Sequence, residues 1–262
     1  MATVTNASDG VRIHYDDEGR GPAIVFHTGA GGDSRIWQAA GYTTGLQGFR
    51  HILIDQRGRG RSDRPTTVES HQMECFVSDV RVVLDDAAVE SCAFWGYSSG
   101  ILTGIAFGTA YPDRLRGLVG TGALPFCNLA ELPPLDPEAW IREDVAQGGV
   151  GHEVDSLMIS EHDRFPEAID RNVREGDPVM HALDRLGRRR WRGPLDLYRR
   201  FRPPVLILTG EKEDQEEETK RSAALLPNVK LVRLAGVGHL GAFYRSDLTL
   251  PHALPFLEER LR

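Results

Sequence analysis

The sequence has little cysteine, no basic excess and no long hydrophobic run. Its three cysteines, Cys75, Cys92 and Cys127, form an odd and scattered set. That argues against a disulfide framework, and their spacing suits no zinc site. Net charge is −7, so the broad basic face of a nucleic-acid binder is missing. Two short arginine-rich stretches, RGRGR at 57–61 and RRRWR at 188–192, read as solvated surface or internal ion pairs. The longest nearly apolar stretch, GILTGIAFGTA at 100–110, is too short to cross a bilayer. The opening MATVTNASDG is polar and lacks the basic-then-apolar pattern of a signal peptide. These absences lead to the expectation of a soluble, cytoplasmic protein with no membrane and no nucleic-acid partner.

What is present suits one large domain, or one domain with an insertion: 262 residues, 40% hydrophobic and 26% charged. Residues 2–17 hold two alternating runs split by Ser8-Asp9-Gly10, which predicts a β-hairpin. Short apolar runs then recur at 23–27, 51–55, 92–96, 115–120, 205–210 and 229–234. Helix-like segments at 34–47, 69–88, 99–111 and 217–226 separate most of them. Strands alternating with helices predict an α/β fold with a mostly parallel, doubly wound sheet. The interval 125–200 breaks the rhythm. It has no convincing strand, but it has helix-start signals at Asp136-Pro137-Glu138, Pro166-Glu167, Asp177-Pro178 and Gly193-Pro194. A core of 1–124 and 201–262 carrying a helical cap at 125–200 is therefore expected. Ligands of such sheets bind beyond the carboxyl ends of the strands, where this insertion would cover them.

The chemistry centres on Gly96-Tyr97-Ser98-Ser99-Gly100, between a strand and a helix. A nucleophile there sits on a sharp, strained turn that lifts its oxygen above the sheet. Glycines two before and two after relieve the crowding. A serine hydroxyl needs a base to remove its proton. Among the nine histidines, His239 in GVGHLG follows the last strand and reaches the same sheet edge. The base needs an acid to fix its tautomer. Glu211, Glu213 and Asp214 follow the next-to-last strand, and the order serine, acid, histidine is the one this type of site uses. Glu211 follows Gly210 too closely to turn back, which leaves Glu213 or Asp214. An oxyanion would be met by the Ser99 amide and by the glycine-rich loop HTGAGGD at 27–33.

Together these residues resemble the α/β-hydrolase superfamily. The likeness runs through EGRGPAIVFHTGAGGDSRIW, ILIDQRGRGRSD, FWGYSSG, TGEKED and GVGH, nearly the whole chain. It implies a serine hydrolase with a helical cap, with Ser98 as nucleophile, His239 as base, and oxyanion donors at Ser99 and at Gly29 or Ala30. The chain departs from the family in having His27-Thr28-Gly29 where many relatives have His-Gly. It also has Glu213, with Asp214 one step later, where many have aspartate.

The expected reaction is cleavage of a carboxylic ester or lactone of a small apolar substrate through an acyl-enzyme. Trp37, Phe126, Trp140, Met158 and Phe243 are candidates for its pocket, with core packing the competing role for each. Other chemistry on this fold, such as cofactor-free oxygenation, lyase reactions or carbon–carbon hydrolysis, is the alternative, followed by a ligand-binding receptor. Epoxide hydrolases and dehalogenases need a carboxylate where Ser98 stands. Gly236-Val237-Gly238-His239-Leu240-Gly241 matches a dinucleotide fingerprint, but too little chain follows for a nucleotide-binding unit. No zincin motif is present. No cofactor and no metal are expected, and the expected partner is a small-molecule substrate.

Overall fold

The computed structural model describes residues 1–124, 136–191 and 195–261. Eight strands form one sheet: β1 Ala2–Thr5, β2 Arg12–Gly19, β3 Ala23–His27, β4 Arg50–Asp55, β5 Cys92–Tyr97, β6 Leu115–Thr121, β7 Val205–Gly210 and β8 Val229–Leu234. Their spatial order is β1-β2-β4-β3-β5-β6-β7-β8. The opening hairpin is antiparallel, β2 joins β4 antiparallel, and every later pairing is parallel. Strands β3, β5 and β7 are buried along their whole length, as expected for a sheet covered on both faces. The edge strand β8 is only partly buried.

Before the insertion the chain forms α1 Arg35–Ala39, α2 Tyr42–Gly45, α3 Met73–Asp86 and α4 Ser99–Ala110. The segment expected as one helix over 34–47 is two short ones. They meet at Gly41, whose φ of +83° lies in the left-handed region that favours glycine. Between β6 and β7 come α5 Pro137–Gln147, α6 Val150–Ser160, α7 Glu167–Arg174, α8 Pro178–Arg189 and α9 Leu195–Arg200. Asp136 and Asp177 cap α5 and α8 through their side chains. The start signal at Gly193-Pro194 lies outside the described residues. Helices α10 Glu216–Ala223, α11 His239–Tyr244 and α12 Ser246–Leu261 complete the chain.

Two apolar layers flank the sheet. One holds Phe94, Ile105, Phe107 and Leu118. The other holds Phe26, Trp37, Tyr42, Trp95 and Phe243. Arg57 from the first arginine-rich stretch is an internal ion pair, bonded to Asp79 at 2.7 Å and Asp9 at 2.8 Å. Gly187 of α8 packs so closely on His71 that a methyl group there would meet the His71 carbonyl oxygen at 2.1 Å. Asn172 of α7 exchanges two 3.0 Å hydrogen bonds with Asp33 in the loop after β3. The inserted helices thus rest on the loops at the carboxyl edge of the sheet. Among the described residues, no helix is long and apolar enough to cross a membrane.

Candidate active site

The turn from β5 into α4 holds Ser98 at φ +53° and ψ −125°. A non-glycine residue in that region is strained, and it persists only where the surroundings over-determine it. Here the Ser98 amide donates to Thr121 O at 2.9 Å, and its carbonyl accepts from Ile101 N at 2.9 Å. A methyl group on Gly96 would sit 2.5 Å from the Gly100 carbonyl carbon, and one on Gly100 would sit 2.5 Å from His27 O. Both glycines are required by close packing of the backbone.

His239 opens α11 at the neighbouring sheet edge. Its Nδ1 lies 2.5 Å from Glu213 Oε1. The other Glu213 oxygen accepts from the Thr209 hydroxyl at 2.5 Å and from Gly210 N at 3.4 Å. Asp214 is exposed beside it, so the structure brings Glu213 rather than Asp214 to the ring. The turn explains the choice: Glu213 N donates back to Gly210 O at 3.3 Å, which curls the buried Glu213 carboxylate inward. Burial disfavours the His239 imidazolium, but Glu213, with Glu161 beyond it, outweighs that and raises its pKa above the ordinary histidine value. Gly122, at φ +95°, leaves room for the ring; a methyl group there would meet its Cε1 at 2.8 Å.

Gly29 and Ala30 stand across from Ser98. A methyl group on Gly29 would lie 2.8 Å from Ser98 Cβ. Gln56 Nε2 donates to Gly29 O at 2.7 Å, and Arg59 donates to Ala30 O. In a trans peptide the N–H points opposite the C=O, so the Ala30 amide faces away from Gln56. Arg188 of α8 stands behind both parts. It donates to Gln56 Oε1 and to Ser99 O, each at 3.4 Å, and pairs with buried Asp184. His27, at the end of β3, is buried and stacked on Phe94. Burial, and then the Arg188 charge, push its pKa down to about 3.

A cleft of about 420 Å³ joins these parts, a size suited to a small ligand. Ala30, Ser98, Ser99, Glu213, Asp214 and His239 all line it. Its far walls are Leu102, Ala123, Trp140 and Leu157, with Arg185, Arg188, Glu153 and Glu161 among the polar groups. Of the four apolar pocket candidates among the described residues, Trp140 alone lines the cleft. Trp37 and Phe243 are fully buried and meet edge to face, 5.0 Å apart, in the core layer below. Large aromatics pack best there, and sequence gives no sign of depth. Met158 is half-buried one position beyond Leu157 and touches Arg174 instead. Phe126 lies outside the described residues. His181 of α8 is buried and held by Asp144 at 2.9 Å. Sequence reasoning missed Gln56, Arg188, Gly122 and Glu161, since each acts through a partner far away along the chain.

Comparison with known proteins identifies the fold family. The family model for the alpha/beta hydrolase fold matches residues 22–153. A zearalenone hydrolase from Bionectria ochroleuca is 32% identical over 110 residues, which are 41% of this chain and 42% of that protein. The match therefore spans less than half of that relative's length. A bifunctional esterase/perhydrolase from Acinetobacter calcoaceticus is 26% identical, over 91% of this chain and 93% of its own. Among solved structures, Est816, an N-acyl homoserine lactone degrading enzyme, superimposes with a TM-score of 0.78 at 26% identity, covering 97% of this chain and 100% of that one. A family match over half the chain, on a sheet of this order, means that the chain belongs to the α/β-hydrolase fold family.

Proposed function

We propose that the protein is a serine hydrolase that cleaves a small carboxylic ester or lactone through an acyl-enzyme on Ser98. The observation that carries this reading is the Glu213–His239 pair in the cleft that Ser98 lines. With its Nδ1 proton donated to Glu213, the imidazole keeps Nε2 as a proton acceptor. His239 takes the Ser98 proton as Oγ attacks the ester carbonyl. The oxyanion is met by the amides of Ser99 and Ala30. His239 then returns the proton to the leaving alkoxide, and a water repeats the cycle to free the acid. In a lactone the alkoxide stays tethered to the acyl group, so water must compete with reclosure of the ring. The acyl group lies between Leu102, Ala123, Trp140 and Leu157, under helices that act as a cap. A carboxylate nucleophile, as an epoxide hydrolase needs, has no counterpart at position 98.

A panel of p-nitrophenyl esters and lactones, assayed alongside fluorophosphonate labelling, tests the proposal. Turnover of at least one class, and a label mapped to Ser98, are expected. A protein that turns over nothing and takes no label refutes it.

The hydrogen-bond chain from Arg188 through Gln56 to Gly29 O runs donor to acceptor at each link, so each bond polarises the next. It ends on the peptide whose N–H is the Ala30 donor. Gln56→Leu leaves that peptide unheld. It should lower kcat about tenfold, less than the loss of a direct oxyanion donor, with little change in KM. Steady-state kinetics on the best ester decides it, and an unchanged kcat rejects Ala30 as a held donor.

A further inference from the structure

The turn that leaves α6 reaches back to the loop that carries His239. Glu161 is buried, and its Oε2 accepts from the His239 amide at 2.6 Å. Two residues on, Asp163 accepts from Gly238 N at 3.4 Å and from the Tyr244 hydroxyl at 2.6 Å. His162 between them has φ +54°, a left-handed conformation that costs a non-glycine residue energy and turns both flanking carboxylates onto one loop. Glycines on the other side admit them. A methyl group on Gly238 would meet Glu161 Oε2 at 2.1 Å, and one on Gly241 would meet Asp163 Oδ2 at 2.4 Å. The backbone of Asp214, in the turn that carries Glu213, also faces the buried Glu161 carboxylate.

We propose that Glu161 is a positioning residue for His239: from the inserted segment it holds the loop of the base, and its charge favours the imidazolium that forms during turnover. This rests on the hydrolase reading above. Glu213 neutralises the ring from the Nδ1 side, and Glu161 adds a second carboxylate from the backbone side. Burial pushes Glu161 up to about 7, and the nearby Glu213 charge adds to it against the pull of His239. Glu161 and the imidazole therefore influence each other's charge. Tyr97 and Asp163 also face this pair, from the end of β5 and from the turn itself. Asp214 stands beside Glu213, while Arg185, Arg188 and Arg189 of α8 lie along the same cleft.

A base must be neutral to work, so kcat/KM falls as pH drops through the His239 pKa. In Glu161→Gln the shape is kept and the charge is lost. The midpoint of that acid limb should move to lower pH by roughly half a unit or more. Glu161→Asp keeps the charge but is too short to hold the amide. Its midpoint should stay within a few tenths of the wild type, with a lower kcat. The His239 Cε1–H resonance, titrated by NMR in Ser98→Ala protein with and without Glu161→Gln, should show the same shift without any turnover. That arm separates this inference from the hydrolase reading, since it stands even if no ester is cleaved. An unmoved midpoint in Glu161→Gln overturns the inference, as does a Glu161→Asp midpoint that falls as far as the glutamine variant's.

Discussion

Replacing Ser98 with alanine should cut kcat for ester hydrolysis by at least about 10⁴-fold and leave the melting temperature nearly unchanged. The loss is large because no neighbouring group can take over the attack. His239 would have only water to activate, in a cleft shaped around an acyl group. The fold should tolerate the change because alanine meets the same strained backbone as serine at φ +53°. The Ser98 backbone hydrogen bonds to Thr121 and Ile101 survive the substitution. Steady-state assays with a thermal melt by circular dichroism test both halves. A variant keeping a tenth of the wild-type rate would exclude Ser98 as the nucleophile.

Glu213→Gln should lower kcat by about 10³-fold or more with KM nearly unchanged. The geometry gives a specific reason. Oε2 of Glu213 accepts from both Thr209 Oγ1 and Gly210 N. In the glutamine variant those two donors claim the amide oxygen, so the NH₂ group must face His239 Nδ1. Nδ1 can then meet it only as an acceptor, which moves the ring proton to Nε2, the nitrogen that has to accept from Ser98. The ring is thus locked in the wrong tautomer, and it also loses the carboxylate that stabilises its charged form. Asp214→Asn, at an exposed position one residue on, should keep most of the activity. If both single variants and the double variant are fully active, the acid lies elsewhere.

Much of the fold was legible because the sheet is buried on both faces. Runs such as AIVFH and VLILTG have no polar face to disguise them, and each became a strand within a residue or so of its apolar run. Helices with side-chain caps, such as α5 behind Asp136, announced themselves. Helix α6 did not, because it starts after Gly149 at φ +58° with no side-chain cap. At the site, Ser98 and His239 could be named from motif and strand order, since Ser98 directly follows β5 and His239 ends the short loop after β8. The choice between Glu213 and Asp214 could not be made, because it turns on one backbone hydrogen bond in a tight turn. Trp37 and Phe243 illustrate another limit. Hydrophobicity says that a ring avoids water, and it does not say whether the ring lies under the sheet or beside the ligand. Glu161 and Arg188 were invisible for a further reason: the site residues they hold lie about 80 residues or more away in sequence.

The long excursion between β6 and β7 has a consequence for how this protein can change. Closing a loop costs entropy that grows only logarithmically with its length, about 0.6 kcal/mol for each doubling. The excursion runs to about 80 residues, against about 17 for the crossover from β5 to β6. The difference is little more than two doublings, or about 1.3 kcal/mol. An exchange of these helices for others of a different length would therefore disturb the sheet very little, and the covering over Ser98 is the cheapest part of the molecule to remodel for a new substrate. The turn at 161–163 sets the limit on that freedom. A transplanted covering that brought no carboxylate to the His239 amide would keep the sheet and the nucleophile and still leave the base poorly tuned, so successful exchanges should retain that turn or rebuild its carboxylate.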